Sequence, residues 1–585
     1  MARADLHVHS KYSLDGDEWT LRALGVRESY TELEYIYRAA KTRKMDFVTV
    51  SDHNSIEGAL RLVHKYPDEA FVSCEFSVVF PENHCKVHML VFDLTEKQFV
   101  KLQELRPNIY SFRDHLRAEG LAYSVAHATL SVNRKINREG LEKLILLFDV
   151  FESVNGTHAA RHNQEWTEAL EHLTPEDIER LRGKHGIAPF SKNSWIKGLT
   201  GGSDDHAGLF IGDTFTVAPG RTKHDFIKSL RDKTTFGFGR HHDYKSMALS
   251  FILIGGHIYS DLAGDKSPAL ISREIGGMFR GDKSHGGLLR FLSFFLERSP
   301  RNFHKVLGKF FSGIFRRHSL SGPGSSSQRM DLIYKQLTLL MDEIVRNLIR
   351  ALRSKHGHTG KARWLKKSII ATTFLGGPFF AALRLLNHNK GLLEDLEFSG
   401  ECPARSARVP ERTLWLSDAV RSREDLEAFR SRRDLSGNHS VKIAVCSRPR
   451  RPLGSPALDL PMIGLLRRRF FGFFSLRIPS VLGSLSVIER WNPDQIVIDT
   501  PGPVGLLGFI AARMLDIKCF VTFSPEVSHA DLPDTEDGTF EAVEKYLKYL
   551  CSLADGEYRG EVPHEKMLFK RRNELFENPS VVRCS

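Results

Sequence analysis

Cysteine is scarce in this chain: seven in 585 residues, scattered, with no CxxC pair and no regular spacing. That excludes a disulfide framework and a thiolate zinc module, and it predicts a cytoplasmic protein with reduced thiols. Long apolar runs are lacking too. The longest uncharged stretch, Ser368 to Leu383, is broken by Gly376-Gly377-Pro378 and is too short to predict a membrane span. The opening Met-Ala-Arg-Ala-Asp leads directly into an apolar-histidine strand pattern, which leaves no room for a signal peptide. No Ser-His-Asp arrangement stands out.

What is present is a globular composition with a formal charge of +12. Such a length predicts two or more domains, each with its own core. The positive balance suits phosphate esters, nucleic acid or an acidic membrane surface, and serves solubility equally well.

Residues 1–250 alternate apolar strand-like runs with amphipathic helical stretches, a rhythm that predicts parallel strands with helices outside. The expected strands are Ala4–Val8, Phe47–Ser51, Phe71–Phe76, Val87–Phe92, Ala122–Ala126, Val150–Val154, Gly198–Gly202 and Thr214–Val217. Polar residues gather where these strands begin or end. In Asp5-Leu6-His7-Val8-His9-Ser10 the two histidines alternate with apolar residues and share one face. Further along come Ser51-Asp52-His53-Asn54, then Glu75 inside Val-Ser-Cys-Glu-Phe, His88, His127, Glu152 and Gly201-Gly202-Ser203-Asp204-Asp205-His206. Each has a plainer role: Glu75 an ion-paired buried carboxylate, His88 a core histidine, His127 a strand-end cap, Asp204-Asp205 turn residues. Together they predict a metal centre, because so many ionisable groups at one rim repel unless cations lie among them. Imidazole mixed with carboxylate favours zinc, manganese or iron. Two such ions clamp a phosphate and activate a water, so a phosphoesterase or nuclease needs no protein nucleophile. Lys86, Arg161 and His162 are polar groups near the expected rim, and Arg161 is the candidate phosphate contact.

His7-Val8-His9, Asp15 in Ser-Leu-Asp-Gly, Ser51-Asp52-His53-Asn54, Glu75, His88, His127 and Gly-Gly-Ser-Asp-Asp-His together resemble the polymerase and histidinol phosphatase family. The resemblance implies a distorted (βα)7 barrel with two or three divalent transition metal ions at its rim. By motif, His7, His9, Glu75 and Asp204 resemble the first ion's ligands. Glu75 would bridge to a second ion held by His88 and His127, and Asp15, His53 and His206 resemble a third group. Asp15 stands where some members carry histidine. Glu75, Asp204 and His206 are the candidate catalytic residues. His84 competes with His88 as a ligand; His88 is preferred because it opens an apolar strand, while His84 follows a Pro-Glu-Asn loop.

Residues 251–405 change character and predict a basic helical connector. Phe303 to His318 places large apolar residues at helical spacing between cations, Ser319 to Gln328 is a flexible link, and Met330 to Ser354 reads as a long helix. Such helices could rest on an acidic membrane or pack between domains.

Residues 406–585 show a second α/β pattern, with strands at Thr413–Asp418, Val441–Cys446, Ile496–Asp499 and Cys519–Phe523. Ile478-Pro-Ser480, Asn492-Pro-Asp494 and Asp499-Thr-Pro-Gly-Pro-Val-Gly-Leu506 resemble the N-terminal half of retaining glycosyltransferases with two Rossmann-like domains. Where that family has a His-Thr-Asp-Phe-like stretch, this chain reads Thr522-Phe-Ser-Pro-Glu-Val-Ser528, and it ends before a second half. The expectation is therefore no autonomous glycosyl transfer and no nucleotide-sugar binding. Three functions follow in order: a metal-dependent phosphoesterase on phosphorylated small molecules or nucleotides, a glycosyltransferase-related protein with the barrel as accessory, and a basic membrane- or partner-binding scaffold.

Overall fold

The computed structural model describes residues 1–13, 27–130, 132–241, 243–263, 326–353, 376–383, 412–433, 435, 440–447, 452–466, 476–515, 517–522, 537–554 and 556–557. It is a mixed α/β protein in two compact units, one built on Met1–His304 and the other on Ala407–Ser585 with Leu332–Asn387.

In the first unit the order is β1 (Ala2–Asp5), α1 (Leu33–Thr42), β2 (Phe47–Val48), α2 (Glu57–Lys65), β3 (Ser73–Val79), β4 (Lys86–Phe92), α3 (Glu96–Leu105), α4 (Ile109–Glu119), β5 (Ala122–Ala126), α5 (Arg138–Leu147), β6 (Val150–Asn155), α6 (Ala160–Glu171), α7 (Pro175–His185), β7 (Gly198–Gly202), β8 (Thr214–Ala218), α8 (Lys223–Arg231), β9 (Phe236–Gly239) and α9 (Tyr244–Ala263). Local chemistry sets several boundaries. Thr95 with Gln98, Thr174 with Asp177 and Thr222 with Asp225 form reciprocal capping boxes that start α3, α7 and α8. Gly120 and Gly186 close α4 and α7 in the left-handed conformation.

Two sheets result, β2-β1-β8-β9 and β3-β4-β5-β6-β7. The all-parallel expectation is corrected. β4 runs antiparallel to both β3 and β5, and β8 runs antiparallel to β1 and β9. The physical reason at β3–β4 is the connection: residues 80–85 are enough for a hairpin and too few for a crossover. The expected first strand shifts as well. Ladder pairing ends at Asp5, and Val8 makes an isolated parallel bridge to Asp205. Further isolated bridges join Val48 to Ala70 and His53 to Glu75. The short, glycine-rich β9 carried no strand signal of its own. Apolar side chains of β3 to β6 and the buried faces of α1 to α7 form one core, including Ile36, Phe76, Val91, Phe112, Ile145, Phe151 and Trp166.

The second unit holds a seven-stranded sheet. Its strands are β10 (Thr413–Leu416), β11 (Val441–Ser447), β12 (Ala457–Leu466), β13 (Leu476–Pro479), β14 (Gln495–Ile498), β15 (Lys518–Val521) and β16 (Gly556–Glu557). The order is β13-β12-β11-β10-β14-β15-β16, parallel except at the β12–β13 edge. Within a long helix, α10 (Ser326–Arg353), Tyr334, Leu337, Met341 and Ile344 recur at three and four and are buried. The Tyr334 hydroxyl donates to the Leu482 carbonyl at 2.7 Å. The basic segment Phe303 to His318 lies outside the described residues. Among the described residues, no helix is long and apolar enough to cross a membrane.

Candidate metal centre

Glu75 is the focus. It sits within β3, a strand whose residues are almost all buried, and is itself fully buried. The β3–β4 register places Ser77 opposite His88, so Glu75 and His88 are diagonal neighbours on one face. His88 Nδ1 comes to 2.8 Å from Glu75 Oε1, and His127 Nε2, just past β5, to 3.1 Å from the same oxygen. On the other oxygen converge His7 Nε2, His9 Nε2 and His53 Nδ1, each at 3.2 Å. Five imidazoles from four strand regions thus meet one carboxylate.

Asp204 closes the group, its Oδ1 3.4 Å from His7 Nε2 and 3.5 Å from His9 Nε2. Its backbone is left-handed, with φ 51°, and its N–H donates to the His7 carbonyl at 2.7 Å. Its neighbour Asp205 does something different, accepting the amides of Ala207, Gly208 and Phe210 and shaping the loop. His206 Nε2 lies 3.3 Å from Glu28 Oε1, and His53 Nε2 lies 3.4 Å from Glu28 Oε2.

A layer behind these groups fixes them. Glu152 Oε1 is 3.0 Å from His7 Nδ1, and Glu152 Oε2 accepts the His127 amide and the Asn155 side chain, both at 2.8 Å. Asn155 also donates to Asp204 Oδ2 at 3.2 Å. Asp52 accepts the Ser10 amide and hydroxyl at 2.6 and 2.7 Å, holding the turn after His9. Gly202 lets the end of β7 lie against His7, since a Cβ there would stand 2.3 Å from His7 Cβ.

Burial drives the Glu75 carboxyl upward, but the charges of His53, His7 and His88 outweigh it and hold the group well below its ordinary range. Asp204 behaves alike: burial raises it, and His7, His9 and His206 bring it well below. Burial lowers His7, yet Asp204, Glu75 and Glu152 lift it well above an ordinary imidazole. His206 is likewise lowered by burial and lifted by Glu28, to about 9. His9 is lowered, by burial and by the neighbouring His206.

The donors fit a divalent metal. His7 Nε2, His9 Nε2, His53 Nδ1, His127 Nδ1, His206 Nε2, Glu28 Oε2 and Glu75 Oε2 are buried without a hydrogen bond. Three nitrogens stand 3.2 Å from Glu75 Oε2 and none makes a hydrogen bond with it. Each orphan costs about 1–3 kcal/mol, and a shared cation is one partner that would satisfy several of them at once. Four sets bring their donor atoms within 4.8 Å of one another: His7, His9 and Glu75; His7, His127 and Asp204; His53, Glu75 and His88; and His9, His53 and His206.

The structure therefore gathers His7, His9, His53, Glu75, His88, His127, Asp204 and His206. Asp15 lies outside the described residues, as does the side chain of Arg161. His84 is exposed in the β3–β4 loop and belongs to none of these sets. Glu28 and His158 went unassigned in the sequence. Glu28 follows no strand pattern, and His158 sits in a turn. Glu152 was visible as a strand-end acid, and its position behind His7 emerges only from the fold.

No family model matches the chain. A stretch of 58 residues is 38% identical to an uncharacterized protein of Methanocaldococcus jannaschii, covering 10% of this chain and 32% of that protein. The chain thus spans about a third of the length of this curated relative. Among solved structures it is similar to a "putative metal-dependent phosphoesterase" from Bifidobacterium adolescentis. That likeness covers 39% of this chain and 94% of the other, at 15% identity and a TM-score of 0.20.

Proposed function

We propose that the first unit is a metal-dependent phosphoesterase of the polymerase and histidinol phosphatase type, hydrolysing phosphorylated small molecules or nucleotides. The observation that carries this reading is the meeting of five imidazoles on the buried Glu75 carboxylate. His7, His9, Glu75 and Asp204 would hold one ion, and Glu75, His88 and His127 a second. His53 and His206, with Glu28 and by resemblance Asp15, would hold a third. Zinc, manganese or iron suits these donors. Such ions, when bound, lower the pKa of a coordinated water toward neutrality and neutralise a phosphate. The chain's own part is orientation: Glu152 fixes the His7 ring, and Asn155 ties Glu152 to Asp204. Burial of Glu75, His7 and His9 keeps bulk water from competing for them.

The isolated bridges support a distorted seven-stranded barrel in this unit. Val48–Ala70 and His53–Glu75 link β2 to β3, and Val8–Asp205 links the β7 end back to the β1 end. For the second unit, a β12-β11-β10-β14-β15-β16 order supports the Rossmann-like reading. The division at 250 and 405 is retained as part of this proposal.

The test is a panel of phosphomonoesters and phosphodiesters, on the wild type and on His7→Ala. Turnover by the wild type that His7→Ala abolishes supports the proposal. Turnover that survives His7→Ala places the reaction elsewhere.

A further inference from the structure

Beside the metal centre stands an imidazole that belongs to none of the four donor sets. His158 lies in the turn between β6 and α6, and its backbone N–H donates to the Asn155 carbonyl at 3.1 Å. The turn is pinned to the centre. The Thr157 amide donates to Asn155 Oδ1 at 2.8 Å, and the Thr157 hydroxyl reaches Asp204 Oδ2 at 3.5 Å. The His158 ring is 6.5 Å, centre to centre, from the ring of His127. That is too far for a direct hydrogen bond and close enough for one intervening oxygen to meet both rings. On its other side His162 packs edge-on at 4.8 Å, and His162 Nε2 is 2.5 Å from Thr129 Oγ1. The neighbour of His158 is therefore anchored to the His127-Ala128-Thr129 turn. His158 is half-buried, and among the described residues no hydrogen bond reaches its ring nitrogens, while His127 Nδ1 is buried without one. α6 begins two residues later with no side-chain cap on its first amides.

We propose that His158 is a substrate-contacting residue, its imidazole hydrogen-bonding a non-bridging oxygen of a phosphate held at the metal centre. This rests on the phosphoesterase reading and assigns the wall of the site on the His127 side. A ring that touched the ions would stand within ligand reach of the other donors. A purely structural ring would be sealed in the core with its nitrogens paired. His158 does neither, and its neighbours fix it in place.

The test uses the full chain loaded with zinc and inorganic phosphate as the probe. Metal content, thermal stability and phosphate affinity by calorimetry are measured for the wild type, His158→Ala and His158→Asn. His158→Ala is expected to keep the wild-type zinc content and to bind phosphate roughly tenfold more weakly, the loss of one hydrogen bond to a charged partner. His158→Asn, which keeps a donor, is expected to recover most of that loss. If His158→Ala does not fold, His158→Leu, which fills the space without a hydrogen-bonding group, takes its place with the Asn result as comparison. Wild-type affinity in the Ala variant, or loss of zinc from it, overturns the proposal. A loaded wild type that binds no phosphate overturns the phosphoesterase reading itself, and that outcome is seen in the wild-type arm alone.

Discussion

Glu152 Oε1 lies 3.0 Å from His7 Nδ1, on the side of the imidazole away from Glu75. A carboxylate there fixes the Nδ1–H tautomer, so the bare Nε2 electron pair points at the centre. Glu152→Gln keeps the shape and removes the charge. The expected effect is a metal affinity about 10–100-fold weaker with the fold intact, read by chelator competition alongside circular dichroism.

Gly202 occupies a position where no other residue fits. A Cβ would meet His7 Cβ at 2.3 Å and Glu152 Oε1 at 2.8 Å. Gly202→Ala should push the end of β7 away from His7, cost about 1–3 kcal/mol as overpacking does, and spoil the His7 ligand position. Thermal melting and metal content measured together check this; an unshifted melt with full metal would contradict it.

The charge of Glu28 shapes how the metal-free protein takes up an ion. Burial alone would lower His206, and Glu28 raises it to about 9. A metal bound at His206 must displace that proton. Uptake should therefore tighten as pH rises toward 9 and weaken as it falls, about tenfold per unit for each proton displaced. Glu28→Gln removes the raising charge and should move this dependence to lower pH. Zinc titrations between about pH 6 and 9 on both proteins make the comparison.

Much of this arrangement was legible because metal ligands sit at strand ends, and strand ends announce themselves by hydrophobic pattern. His7 and His9 flank Val8 at period two, and Glu75 interrupts an apolar run. What stayed hidden had physical reasons. Glu28 lies in the loop before α1, where no periodicity marks it. Asp204 was singled out from Asp205 by the motif resemblance alone, since residue pattern cannot separate two adjacent aspartates; in the fold Asp204 has a left-handed backbone. The reversal of β4 follows from the length of one loop, a signal weaker than the βα rhythm around it. The order of the second sheet depends on pairings between distant segments, which no local pattern records.

In the second unit, Asp418 follows β10 and accepts the amides of Val504 and Gly505 at 3.1 and 3.4 Å and the Thr500 hydroxyl at 2.9 Å. Those amides open the helix Pro503–Leu515, where a phosphate would otherwise bind. The protein's own carboxylate occupies that place, and a Cβ on Gly502 would meet it at 2.4 Å. Calorimetry with nucleotide sugars should give no specific isotherm; a micromolar one would show that Asp418 yields its position.

The central claim is that the groups around Glu75 are held together by divalent ions. Its most direct test is the metal content of protein purified without chelator, by mass spectrometry, beside that of Glu75→Ala. Two or three equivalents of zinc, manganese or iron in the wild type, lost in Glu75→Ala, are the predicted result. A wild type that carries no metal and takes up none on addition of zinc or manganese would contradict it.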